Sequence, residues 1–213
     1  MAVRVKTKDD FPLDLDAPRF QTALRYPATG SEHRNDMQIF PSWFSTPLGG
    51  DPFAEEGIRF TCVMELAQSA GELRLNSNDP YEQMFIDCRY LEHPRDRERL
   101  REGVRIILDM IEHESFNGIV EELISPMEAD QASDETLDRW LLENVWIGQH
   151  LSGTCKMGSD SDEMAVVDQY GRVPGVQGLR VADASIMPGC IRANTNCTTI
   201  MIGERVANWI INH

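Results

Sequence analysis

Two stretches near the carboxy end decide how this chain reads: Gln149-His150-Leu151-Ser152-Gly153-Thr154-Cys155-Lys156-Met157-Gly158 and Leu179-Arg180-Val181-Ala182-Asp183-Ala184-Ser185-Ile186-Met187-Pro188. The second continues through Asn194-Thr195-Asn196 into Thr199-Ile200-Met201-Ile202-Gly203-Glu204-Arg205. Both set chemically able side chains among small or turn-forming residues. His150 stands just ahead of Ser152-Gly153-Thr154, where the glycine lets backbone come close to a ligand. A neutral imidazole can accept a hydroxyl proton near physiological pH, as an alcohol oxidation requires. By residue type alone the plainer reading, a satisfied structural histidine, is the commoner one. Asn196 carries an amide that can donate to and accept from a substrate oxygen, or it holds a tight turn beside Asn194. Thr198 and Thr199 are expected to open a helix. The free N–H groups of such an opening suit an anion or a charge developing on a ring, or the threonines are an ordinary N-cap. Asp183 ends a short strand expected over 179–183, where its carboxylate can accept from a polyol or cap the turn at Ser185.

Working outward, the sequence before these blocks changes character twice. Val3 and Val5 alternate with charged residues, and Met37-Gln38-Ile39-Phe40 is a second short apolar run. A loop rich in Pro41, Pro47, Gly49, Gly50 and Pro52 precedes Phe60-Thr61-Cys62-Val63-Met64-Glu65-Leu66, which is β-branched and apolar enough for a buried strand. A turn at Gly71 leads into Leu73-Arg74-Leu75. Asn76 to Pro80 is a turn cluster, and Met84 to Cys88 is a further strand. After Pro94 the period lengthens. Leu100, Val104, Ile107, Leu108 and Ile111 form one apolar stripe, and Asp96 and Glu98 load the first turn with negative charge that suits the helix dipole. A second helix starts at Ser133, with Leu137, Trp140, Leu141 and Asn144 on successive turns.

Strands followed by segregated helices predict an α+β domain with a mainly antiparallel sheet over 1–147, rather than a βαβ array. Residues 148–213 are a separate strand, loop and helix. The helix is expected over Thr199 to Ile211, with Ile202, Val206, Trp209 and Ile210 on one face, and the segment cannot complete a domain by itself.

Composition removes other classes. The chain has 213 residues, with 20 Lys and Arg against 35 Asp and Glu, a net charge of -15. That charge repels phosphate backbones and anionic lipid, so no nucleic-acid partner is expected. The 41% hydrophobic content is enough to bury a core. The five cysteines are scattered without a C-x-x-C, and no histidine pair has ligand spacing, so neither a metal site nor a disulfide framework is expected. They read as reduced thiols of a cytoplasmic protein. Neither an apolar signal region nor a run of about 18 apolar residues is present, so no transmembrane segment is expected.

Taken in order, His150, Gly153-Thr154-Cys155-x-Met157-Gly158, the Leu179 to Pro188 block, Asn194-x-Asn196 and Ile202-Gly203-Glu204-Arg205 resemble a known signature. It is the carboxy-terminal signature of the glucose–methanol–choline (GMC) family of FAD-dependent oxidoreductases, and it covers residues 148–211. Leu75-Asn76-Ser77-x-Asp79-Pro80, Tyr90-Leu91-x-x-Pro94-x-Asp96 and Leu100-x-x-Gly103-Val104-Arg105 are similar to the same family's substrate domain. Ser69-Ala70-Gly71 departs from the basic Ser-Arg-Gly turn often found there. Ala28 to Ser31 and Arg34 to Met37 look similar to actinobacterial members, including those associated with the mycofactocin system.

The resemblance implies a substrate domain over 1–147 and, over 148–213, the carboxy-terminal strand–loop–helix part of a Rossmann-like FAD-binding domain. It makes His150 the catalytic histidine facing the flavin and Asn196 the second active-site residue. Asp183 and Ala184 fall along the ribityl–pyrophosphate part of FAD, and Asn194, Thr198 and Thr199 beside the isoalloxazine. The implied chemistry is oxidation of a small-molecule alcohol. His150 takes the hydroxyl proton, Asn196 positions the oxygen, and hydride passes to the flavin N5. The G-x-G-x-x-G that opens such enzymes is missing, since neither Gly49-Gly50 nor Gly171 to Gly178 fits its spacing. The expectation is therefore a carboxy-terminal portion of a GMC enzyme, completed by a separate N-terminal FAD-binding half or assembled as a homodimer. The alternative is a non-catalytic remnant or subunit.

Overall fold

Valines two residues apart at Val3 and Val5 must point to the same face of a strand, and both are fully buried. They lie on β1 (Ala2–Thr7), which pairs antiparallel with β4 (Ile58–Met64) in a register that sets Val3 against Phe60 and Val5 against Ile58. The computed structural model describes residues 1–12, 18, 20–43 and 57–212. The expected loop carrying Pro47, Gly49, Gly50 and Pro52 lies outside them. β3 (Met37–Trp43) runs antiparallel to β4 and continues through Pro41, which the sequence assigns to the loop.

Two strands are absent from the sequence reading. β2 (Leu24–Tyr26) adds to β3, and β7 (Val120–Ser125) adds to β1. The sheet order is β2-β3-β4-β1-β7, with every pairing antiparallel. A separate two-stranded ribbon joins β5 (Glu72–Arg74) to β6 (Phe85–Asp87).

Helix α1 (Pro94–Ile111) covers the sheet. Proline at its first position and a His93 ring nitrogen accepting the Arg95 N–H start it. Its stripe of Leu100, Val104 and Ile107 packs into one core with Val3, Val5, Met37, Ile39, Phe60 and Cys62. Gly103 lets the helix settle this close, because a Cβ there would lie 2.4 Å from Cys62 Sγ. A four-residue helix α2 (Glu128–Gln131) leads to α3 (Asp134–Asn144). The latter is opened by a Ser133–Thr136 capping box and adds Leu137, Trp140 and Leu141 to the same core.

Asp96 does more than complement a dipole. It is fully buried and accepts the N–H groups of Gln68 and Ser69, at 3.0 and 2.7 Å, and the Ser69 hydroxyl. Buried Arg99 bridges it to buried Asp36, lying 3.1 Å from the Asp36 carboxylate and 3.7 Å from that of Asp96. Arg99 also donates to the carbonyls of Asp36 and Leu66. Each of these three buried charges therefore has an opposite charge and hydrogen bonds, the condition for tolerating it out of water.

The fold is thus α+β, a mainly antiparallel sheet with segregated helices. The chain divides into two compact units, Met1–Glu72 with Asp87–Trp146, and Leu73–Ile86 with Ile147–His213. No helix among the described residues is long and apolar enough to cross a membrane.

Candidate active site

The second unit is built mainly from irregular backbone. The expected strand over 179–183 does not form. Arg180 makes one isolated antiparallel bridge with Arg172, and the N–H groups of Val173 and Val181 reach Leu179 and Gly171 between tight turns. Such turns interrupt the ladder that a strand needs. Asp168 holds one of them, accepting the N–H groups of Tyr170 and Arg172, each at 2.9 Å, and the Arg172 side chain. A small core of Val167, Ile186, Met187, Ile202 and Val206 lies beneath.

Helix α4 (Asn196–Asn212) supplies Ile202 and Val206 to that core, with Trp209 against it. Ile210 is 60% exposed, off the face that the sequence assigns to it. The helix begins at Asn196, three residues before the expected start. Thr198 and Thr199 therefore lie inside its first turn rather than opening it. The Thr199 N–H and hydroxyl both donate to the Thr195 carbonyl, each at 2.9 Å.

His150 follows Gln149, whose φ of 59° is in the left-handed region that a side chain rarely adopts. Beyond it the chain is clamped to the second block. Gly153, Cys155 and Met157 donate their N–H groups to the carbonyls of Ala184, Ser185 and Ile186. Gly153 itself has φ 84° and would bring a Cβ to 3.5 Å from the Met187 carbonyl. This clamp sets the half-buried imidazole beside the residues preceding α4. Nδ1 lies 3.0 Å from the Thr195 hydroxyl, and Nε2 lies 3.1 Å from the Asn194 amide nitrogen.

The sequence-chosen residues separate accordingly. His150 and Asn194 meet. Asn196 is the exposed first residue of α4 and makes no hydrogen bond to His150. Asp183 turns its carboxylate onto the Ser185 N–H at 2.8 Å, capping the single 3-10 turn Ala184–Ile186. Hydrogen bonds from Ser185 hold the Asp183 carboxyl below its ordinary pKa. The Ala184 carbonyl is taken by Gly153. Thr195 is the residue that sequence reasoning missed. A hydroxyl between two asparagines, just before a helix, was the available signal.

A model of the GMC oxidoreductase family matches residues 67–203, and the chain belongs to that family. It is 44% identical over 142 residues to the oxygen-dependent choline dehydrogenase of Cronobacter sakazakii, and the match covers 67% of this chain and 25% of that protein. Against the same enzyme from Escherichia coli O6:K15:H31, identity is 40% over 162 residues, covering 76% of this chain and 29% of that protein. The chain thus spans between a quarter and a third of the length of these curated relatives.

Among solved structures, formate oxidase from Aspergillus oryzae, an FAD-bearing enzyme, is 27% identical in a variant form. It has a TM-score of 0.70, and the match covers 83% of this chain and 31% of that one. Pyridoxine 4-oxidase from Mesorbium loti shares the fold at 22% identity and TM-score 0.78, over all of this chain and 42% of its own.

FAD is the cofactor of this family, and the residues present fit its flavin side. The opening turn of α4, one residue after the Thr195 that contacts His150, leaves the N–H groups of Asn196, Cys197 and Thr198 without intrahelical partners. Those donors and the positive end of a 17-residue helix suit an electron-rich ring edge. No G-x-G-x-x-G occurs among these 213 residues.

Proposed function

We propose that this chain carries the active-site wall of an FAD-dependent oxidoreductase that acts on CH–OH groups, converting an alcohol to an aldehyde or ketone. In this reading residues 1–147 are a substrate-binding-type domain and residues 148–213 are the active-site segment of the FAD-binding domain. The observation that supports it most is the contact of His150 Nε2 with the Asn194 amide, in a chain of this family.

His150 accepts the hydroxyl proton of the bound alcohol at Nε2. The Asn194 amide holds the alcohol oxygen against that nitrogen, a role the sequence assigns to Asn196. When FAD is bound, Asn196, Thr198 and Thr199, in the first turn of α4, would hold its flavin ring, and Asp183 and Ala184 would hold its ribityl chain. FAD, when bound, supplies the acceptor for the carbinol hydride. Choline is the first alcohol to try, because the dehydrogenases it names are relatives at 44% and 40% identity. The second reading is a subunit completed by a separate N-terminal FAD-binding half, and it is told apart by flavin retention.

The test incubates the 213-residue chain with FAD, removes free flavin by gel filtration, and records the visible spectrum and choline-dependent flavin bleaching. Retained flavin bleached by the alcohol supports the first reading. A folded chain without flavin supports the second, and the activity test then moves to the completed complex. In either holoenzyme, His150→Ala is expected to keep FAD and lose about a hundredfold or more in turnover. Loss of flavin with unchanged turnover per bound flavin would overturn the role of His150.

A further inference from the structure

We propose that Thr195 is a positioning residue for His150, supporting the imidazole in the tautomer whose Nε2 is unprotonated. This rests on the reading of His150 as the proton acceptor. A neutral imidazole has one N–H and one lone pair, so its two ring contacts are not independent. With the Asn194 NH2 group donating to Nε2, the proton sits on Nδ1 and donates to the Thr195 hydroxyl oxygen 3.0 Å away. With the Thr195 hydroxyl donating to Nδ1 instead, Nε2 would carry the proton and could not take one from an alcohol. The donor-only amide at Nε2 sets the tautomer, and the Thr195 oxygen supplies the acceptor that the resulting Nδ1–H needs, so losing it leaves that N–H unpaired.

A second observation separates this hydroxyl from an ordinary helix cap. Thr195 immediately precedes α4, and its carbonyl accepts the Thr199 N–H that starts the helix. At such a position a threonine oxygen normally accepts an N–H two or three residues on. Among the described residues the Thr195 hydroxyl makes no such bond; its partner is His150. The side chain is only 7% exposed, so the imidazole is the group that satisfies it. The helix forgoes a cap, and the histidine gains a fixed acceptor.

The test is ring-nitrogen NMR on the histidine-labelled 213-residue chain at mildly alkaline pH, with the His150 signals identified by their loss in His150→Gln. The expected spectrum has a protonated Nδ1 and an unprotonated Nε2. Thr195→Val, which keeps the shape and removes the hydroxyl, is expected to shift the proton toward Nε2, and Thr195→Ser to restore the wild-type pattern. In the FAD-loaded holoenzyme the Val variant should lose about ten- to a hundredfold in kcat with KM little changed, the usual scale for removing a partner that orients a working histidine. A protonated Nε2 in the wild-type chain would overturn the proposal without any variant needing to fold. So would a tautomer that ignores Thr195→Val. If the tautomer shifts while alcohol oxidation does not respond, Thr195 still positions His150, and the reading of His150 as the proton acceptor is what fails.

Discussion

The two units solve the problem of holding a backbone in place in opposite ways. In the first, regular hydrogen-bond ladders and the helices α1 and α3 seal a large apolar core, and buried Arg99 lies between the carboxylates of Asp36 and Asp96. In the second, a small cluster around Val206 lies under turns, bridges and loop-to-loop bonds, while Leu151, Met164, Ile200 and Ile211 are 69%, 73%, 58% and 80% exposed. The regular unit gives mechanical stability. The irregular one aims His150, Asn194 and Thr195, because turns and left-handed residues can set directions that a ladder forbids. The candidate site lies where the backbone is least repetitive.

The sharpest way to break this contrast is Asp96→Ala. It removes the acceptor of three hydrogen bonds and leaves Arg99 with less buried countercharge, so the first unit should lose about 3–5 kcal/mol in urea unfolding. A loss under about 1 kcal/mol would mean that the charge network is not what secures the loop at Gln68 and Ser69.

Gly103→Ala should cost about 1–3 kcal/mol by forcing α1 off Cys62, seen as a lower midpoint at unchanged slope. Val206→Ala should lose about 1–2 kcal/mol and raise amide exchange across 147–212 before it does so in the sheet, since few neighbours can fill the gap. Equal exchange increases in both units would remove the distinction between them.

Ser133→Ala should cost about 1 kcal/mol through the cap of α3, read from thermal melts. Last comes acid. Burial alone would raise the Asp36 carboxyl, but the Ser31 hydroxyl, the Ala28 N–H and Arg99 outweigh it and hold the group below its ordinary 3.8. A group depressed on folding stabilises the protein above its unfolded pKa, and that contribution is lost as pH falls through the lower folded one. The first unit should therefore weaken below about pH 4, with a shallower acid slope in Asp36→Asn.

What was legible in the sequence follows the same division. Helix α1 was legible because a stripe at Leu100, Val104 and Ile107 has one periodicity and one proline start. β1, β3 and β4 were legible because buried strands are apolar runs. β7 was not, since Glu121 and Glu122 interrupt it and an edge strand needs no continuous apolar face. β2 was hidden because three residues between breakers carry no period.

In the candidate site, His150 was singled out by the company it keeps, and the family model matches residues 67–203, which include its block. Asn194 and Asn196 could not be told apart by type. Their difference is one of direction, fixed only when α4 starts at Asn196 and leaves Asn194 on the chain turned back toward the histidine. For Thr195 the one signal, a hydroxyl between two asparagines, gave no direction either.

The close seat of Gly103 on Cys62 has one more consequence. Burial pushes the Cys62 thiol up to about 12, so its thiolate is scarce at neutral pH and has no path to solvent. Cys88 and Cys197 are exposed and will be tagged at once by an alkylating reagent. A mass increment on Cys62 can appear only when the helix lifts from the sheet. The thiol is a built-in stopwatch for the opening of the first unit, readable by mass spectrometry without any engineered probe.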